Sequence, residues 1–317
     1  MIQTASYKSK QFLWLVFKLI ILMLFGYFIY QTLTQNEQLS LQEFVAILQN
    51  SQLILWKNVL VMASLSALNW ILEIEKWKLL ANQIRPTSWK NSAAQSLASL
   101  TFSLITPNRI GEYGAKAIYF PKKERKRIVA LNFIGNFHQL VITCLVGFAG
   151  ISYWNAISKE VFSTISVMNI LIVFTLITGG IILLIYTTKH WKWRKQIFEK
   201  LHFITQKLNA QISFLSLLRY LVFSHQFYWM LKILHPDISY ESSMAAIASI
   251  YLISSFIPML SLFDVVVKGS VAVFVFSFVE ISPLVVLSVT TLMWVFNFVI
   301  PAMIGSYFVI TFQPRES

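Results

Sequence analysis

Six stretches of this chain, at 12–30, 53–72, 128–151, 166–187, 212–231 and 283–312, are apolar over about twenty residues or more, the length an α-helix needs to cross a hydrocarbon layer about 30 Å thick. That repetition excludes most folds. A water-soluble protein of 317 residues needs a surface that is roughly a quarter charged, whereas this one is 56% hydrophobic and only 12% charged. The same composition excludes disorder, and the single Cys144 excludes a disulfide scaffold. The reading is an all-α integral membrane protein. The net charge of +13 is then expected to anchor helices on the cytoplasmic side of the membrane, and no nucleic acid is implied. The first stretch carries Lys18 and lacks a small-residue cleavage site, so it is expected to be a retained span.

Two further apolar regions, 92–120 and 243–280, are each interrupted by a proline and a charge cluster: Pro107 with Arg109, Glu112 and Lys116, and Pro258 with Asp264 and Lys268. If both turn back as re-entrant hairpins, eighteen lysines and arginines of the connections and termini fall on the amino-terminal side, against only Lys159 and Lys232 on the other. Such an asymmetry is the positive-inside signature. The expected architecture is therefore six transmembrane helices and two re-entrant broken-helix hairpins entering from opposite sides, with both termini cytoplasmic in the cell membrane. Trp14, Trp70, Trp77, Trp89, Trp154, Trp191, Trp193 and Trp229 lie near the expected span ends, where indole rings favour the headgroup level.

The broken regions also resemble each other. Residues 99–116 read SLTFSLITPNRIGEYGAK and residues 249–268 read SIYLISSFIPMLSLFDVVVK, each with a proline after a hydroxyl-rich approach and an acidic residue four before a lysine. Inverted-topology repeats that bring broken helices to the bilayer midplane are a recurring transporter construction.

At the first break Pro107 ends one half-helix and Asn108 is placed to cap the next, whose free amides and positive dipole end lie beside Arg109. That combination suits a phosphate or carboxylate. Gly111 permits close approach of a headgroup or a helix. Glu112 and Lys116 are one turn apart and either neutralise each other or join the site. At the second break Ser261 and Asp264 have the form of a capping box, and Lys268 needs Asp264 or a ligand as partner. Asn132, Asn136, Gln139 and Thr143 share one face of the span 128–151, as groove lining or as bonds between helices. Arg219 is placed to meet a lipid phosphate or Asp264, unless it snorkels to an interface.

The stretch 105–116, ITPNRIGEYGAK, resembles the P-x-R-x-G-E signature of the lysylphosphatidylglycerol synthase transmembrane-region family, carried by Pro107, Arg109, Gly111 and Glu112. Lys116 stands where members often carry arginine, and Pro258, Asp264 and Lys268 stand where they show a glycine-rich segment and a glutamate. The resemblance implies a flippase-type membrane module without the soluble synthase domain, since only 313–317 follow the last stretch.

No metal-ligand spacing, nucleophile elbow or phosphate-binding loop occurs, so no cofactor is expected and any transport runs downhill or is ion-coupled. The leading expectation is a translocase that moves a phosphate-bearing lipid, a phospholipid or a polyprenyl-linked one, between leaflets. The alternatives are a membrane enzyme or accessory subunit acting on a lipid-linked sugar, with Glu112 or Asp264 as general base, and a scaffold for a partner enzyme.

Overall fold

The computed structural model describes residues 46, 52–104, 106, 110–157, 205–257 and 264–312, with the backbone alone at 155–157. The described residues are helical and contain no strand. In chain order the helices are α1 (Trp56–Ala81), α2 (Trp89–Ser103), α3 (Ile110–Ile118), α4 (Arg125–Ile157), α5 (Gln206–Leu234), α6 (Tyr240–Ser255), α7 (Asp264–Ser277), α8 (Pro283–Trp294) and α9 (Ile300–Thr311). A π-helical turn, Val295–Val299, joins α8 to α9 without ending the rod.

Among the described residues three helices are long and apolar enough to cross a membrane: α1, α4 through Trp154, and the continuous α8–α9 rod. At 29 residues α5 has the length, but its interior polar residues, Arg219, His225 and Gln226 among them, make it less apolar. The expected spans 12–30 and 166–187 lie outside the described residues. Both broken regions are broken here, α2 from α3 and α6 from α7, and in each the two pieces pack on one another.

Burial departs from that of a water-soluble protein in two respects. Phe133, Phe137, Leu140 and Leu145 of α4 and Met303, Ile304 and Tyr307 of α9 are exposed, while Glu73, Lys76, Glu112 and Lys116 are buried. Exposed apolar stripes with ionic groups inside are what a lipid surround selects.

The helix contacts are unchanged when the set α1, α2, α3, α4 is exchanged for α5, α6, α7, α8–α9. α1 packs on α2 as α5 does on α6, and α3 on α4 as α7 does on α8. α2 packs on α9, the long rod of the other set, as α6 packs on α4. α1 and α5 pack on each other at the centre. They run antiparallel, since Gln226 bonds to the carbonyl of Met62 while Arg219, earlier in α5, meets Asn69 and Glu73, later in α1.

Local chemistry repeats as well. Ser88 caps α2 and Ser239 caps α6, each accepting from the amide three residues on. From those caps the register continues through the buried serines Ser92 and Ser243, then Ser103 and Ser254, to Pro107 and Pro258. Both crossings of a first arm with the opposite rod depend on glycine. A Cβ on Gly150 of α4 would lie 2.8 Å from the Ala245 carbonyl oxygen of α6, and one on Gly305 of α9 would overlap the Leu97 carbonyl of α2.

The π turn has a covalent cause. Pro301 has no amide hydrogen for the Phe296 carbonyl, its π-pattern acceptor, or for the Asn297 carbonyl, its α-pattern acceptor. α1 supplies both donors instead: the Ser66 hydroxyl donates to Phe296 O, and Trp70 Nε1 donates to Asn297 O at 3.0 Å.

One expectation is corrected. The segment 73–91 was to be a basic connection following a span that ended at 72, but α1 continues to Ala81 and takes Glu73, Lys76 and Trp77 into the core. Lys76 is therefore no surface anchor. Trp70, Trp77 and Trp154 are likewise buried packing residues, whereas Trp89 and Trp229 are exposed as an interfacial belt requires. Trp14, Trp191 and Trp193 lie outside the described residues.

Candidate functional site

In the central helix pair, Glu73 and Lys76 of α1 converge with Arg219 of α5. Arg219 of α5 donates from Nη1 to Glu73 Oε2 at 2.6 Å and from Nε to Asn69 Oδ1 at 2.9 Å. Lys76, one turn along α1, places Nζ 2.7 Å from the same Glu73 oxygen. From α3, Lys116 Nζ lies 3.8 Å from Glu73 Oε1 and donates at 2.8 Å both to Glu112 Oε1 and to Asn132 Oδ1. The Trp77 ring covers it, 4.4 Å from centroid to nitrogen, and Trp77 is itself fixed by Nε1 donating to Gln95 Oε1 at 2.7 Å. Five charged groups from three helices, with Asn132 of a fourth, thus form one buried network. A lone ion at bilayer depth costs at least about 2.5–3.5 kcal/mol, so each of these needs its partners.

Beside the network, between α1, α5, α6, α7 and the π turn, is a cavity of about 530 Å³. Arg219 forms part of its wall, and so do Asp264 and Lys268 of α7. Lys268 donates to Asp264 Oδ2 at 2.7 Å, one turn apart, and both side chains are partly exposed, at 35% and 27%. The rest of the wall alternates aromatic rings, such as Trp70, Phe223 and Trp294, with the amides of Asn69, Asn297 and Gln139. Asn297 donates to Gln226 Oε1 of α5 and to the Met293 carbonyl one turn back in its own rod, and accepts from Asn69 Nδ2 of α1. Two buried polar atoms of the wall, Ser254 Oγ and Gln139 Oε1, have no hydrogen-bond partner among the described residues. A space with apolar walls, a few convergent polar groups and unmatched hydrogen-bonding atoms has the makings of a ligand site.

The residues singled out from sequence divide between these two places. Arg219, Asp264 and Lys268 meet at the cavity, although Arg219 pairs with Glu73 and not with Asp264. Glu112 and Lys116 form their pair in the sealed network. Gly111 serves helix packing: its amide donates to Thr106 Oγ1 at 2.8 Å, and a Cβ would lie 2.8 Å from the Phe102 carbonyl oxygen. Pro107, Asn108, Arg109, Pro258 and Ser261 lie outside the described residues. Of the polar face on α4, Gln139 alone reaches the cavity; Asn132 and Asn136 bond to α3, and Thr143 bonds within its own helix.

Glu73 and Asn297 were not singled out from sequence. Glu73 sits beside Glu75, Lys76 and Lys78 in what reads as a charged loop, and only the hydropathy of 53–72 carried on at helical period would have drawn it inside. Asn297 has a clearer sign, an amide in the middle of the most apolar rod, four residues before a proline. Comparison of the chain with protein-family models, with curated proteins and with solved structures found no match.

Proposed function

We propose that this protein is an integral membrane translocase that moves a phosphate-bearing lipid between leaflets without hydrolysing ATP. The carrying observation is the cavity that gathers Arg219, Lys268 and Asp264 within an otherwise lipid-compatible bundle. A headgroup phosphate suits the guanidinium and the ammonium, and the aromatic walls suit the glycerol backbone or the first part of a chain. The exchange symmetry of the two four-helix sets, with antiparallel α1 and α5 at its centre, supports an inverted repeat whose two broken regions are re-entrant hairpins facing opposite leaflets. The resemblance of 105–116 to the synthase transmembrane-region family points the same way, and it adds Arg109 to the path. Glu112 and Asp264 each hold a lysine one turn on, which favours pairing over service as a general base in a lipid-modifying enzyme.

The test is reconstitution into liposomes carrying a fluorescent phospholipid. Protein-dependent movement between leaflets is expected, falling about tenfold in Lys268→Met, the equivalent of one charge-assisted hydrogen bond. Arg109→Ala is expected to lose most of it. Movement that neither substitution alters would remove the site.

A further inference from the structure

The two broken regions are related by exchange but are not in the same condition. Asp264 and Lys268 open onto the cavity, whereas the corresponding Glu112 and Lys116 are sealed, with Lys116 only 1% exposed beneath Trp77. A single carboxylate stands between them. Glu73 Oε2 takes Arg219, which belongs to the cavity wall, and Glu73 Oε1 is 3.8 Å from Lys116, which belongs to the sealed hairpin. Its third cation, Lys76, is on its own helix and remains with it whatever the hairpins do.

We propose that Glu73 is the residue that couples occupation of the cavity to opening of the opposite, sealed hairpin. The proposal rests on the translocase reading. A phosphate entering the cavity competes with Glu73 for the Arg219 guanidinium, a planar fork suited to phosphate. As Arg219 turns to the ligand, the freed Glu73 carboxylate is drawn to its next cation, Lys116, across less than one side-chain length. Lys116 in turn slackens its bond to Glu112 within α3 and its bond to Asn132, which ties α3 to α4. Loading on the side of α7 thereby loosens the side of α3, the sequence of events that alternating access requires. Ligand energy moves such an equilibrium only through contacts that differ between its two states, and the Arg219 to Glu73 ion pair is such a contact.

The test uses the full chain with Cys144→Ser and one reporter cysteine at a time, purified in detergent and reacted with a membrane-impermeant maleimide. Ser255→Cys reports on the cavity wall, and Ala115→Cys, at a buried alanine of α3, reports on the sealed hairpin. Dihexanoylphosphatidylglycerol is the probe, and dihexanoylglycerol, which lacks the phosphate, is the control. The phosphate lipid should protect Ser255→Cys and raise the labelling rate of Ala115→Cys about fivefold or more, the lower end of ordinary coupling between sites; the control lipid should do neither. Because Glu73→Gln alone leaves three cations around a neutral amide, the decisive variant pairs it with Lys76→Met, which keeps the net charge of the network. In that background protection of Ser255→Cys should persist while the rise at Ala115→Cys disappears. A purely structural role for Glu73 would alter basal labelling and leave the response to lipid intact, and that result overturns the proposal. Protection without any rise in the parent also overturns it while leaving the docking site standing; absence of both overturns the proposal and the docking site together.

Discussion

Arg219 and Glu73, 146 residues apart in the chain, meet at 2.6 Å in the contact between α1 and α5. The pair lies where the two exchange-related halves of the molecule touch, and it joins the cavity wall to the buried ionic network. A pair so placed has consequences for stability and for transport that separate cleanly.

For stability, the two partners are unequal. Arg219→Met removes one of three cations near Glu73, which keeps Lys76, so the cost should be about 3 kcal/mol. Glu73→Gln strips the shared carboxylate from all three cations and should cost about 5 kcal/mol. Thermal unfolding midpoints in one detergent will rank the variants, and a less stable Arg219→Met would contradict the shared role of Glu73.

The π turn gives a second prediction. Ser66→Ala leaves the Phe296 carbonyl without its donor and should cost about 1–3 kcal/mol. Pro301→Ala restores an amide at the position that caused the vacancy, so the serine substitution should cost less in that background. A double-mutant cycle measures the coupling, and strict additivity would refute the assignment of the π turn to Pro301.

Glycines in this bundle should divide by what surrounds them. On Gly305 a methyl group would overlap the Leu97 carbonyl where α2 crosses α9, so Gly305→Ala should destabilise by about 1–3 kcal/mol. On Gly114, inside α3, a Cβ meets nothing within 4 Å, and Gly114→Ala should stabilise by about 0.5–1 kcal/mol. Equal effects at the two positions, read by the same unfolding assay, would show that the α2–α9 crossing is looser than described.

Orientation in the membrane is directly measurable. With Cys144→Ser as parent, Lys123→Cys before α4 and Ser282→Cys before α8 should label from opposite sides of oriented vesicles, the first from the cytoplasmic side. Labelling of both from one side would be incompatible with re-entrant hairpins.

The helices themselves were legible in the sequence, because bilayer crossing imposes a length and an apolarity that few other structures share. Expected spans at 128–151 and 212–231 fall inside α4 and α5, that at 283–312 matches the α8–α9 rod to within one residue, and both proline-broken regions are broken just ahead of their acid–lysine pairs. The pairs Glu112 with Lys116 and Asp264 with Lys268 were legible too, since residues four apart on a helix are neighbours whatever surrounds them.

Contacts between distant segments decided the rest. Hydropathy reads a charged residue as a vote for water, so Glu73 and Lys76 looked like the end of a span. Only the arrival of Arg219 from α5 and Lys116 from α3 makes their burial affordable, and with it the extension of α1 to Ala81. In the same way the sequence left Arg219 with several candidate partners and could not choose among them, because an ion in a low-dielectric interior pairs with whatever the packing brings within reach, and packing is a property of the assembled helices.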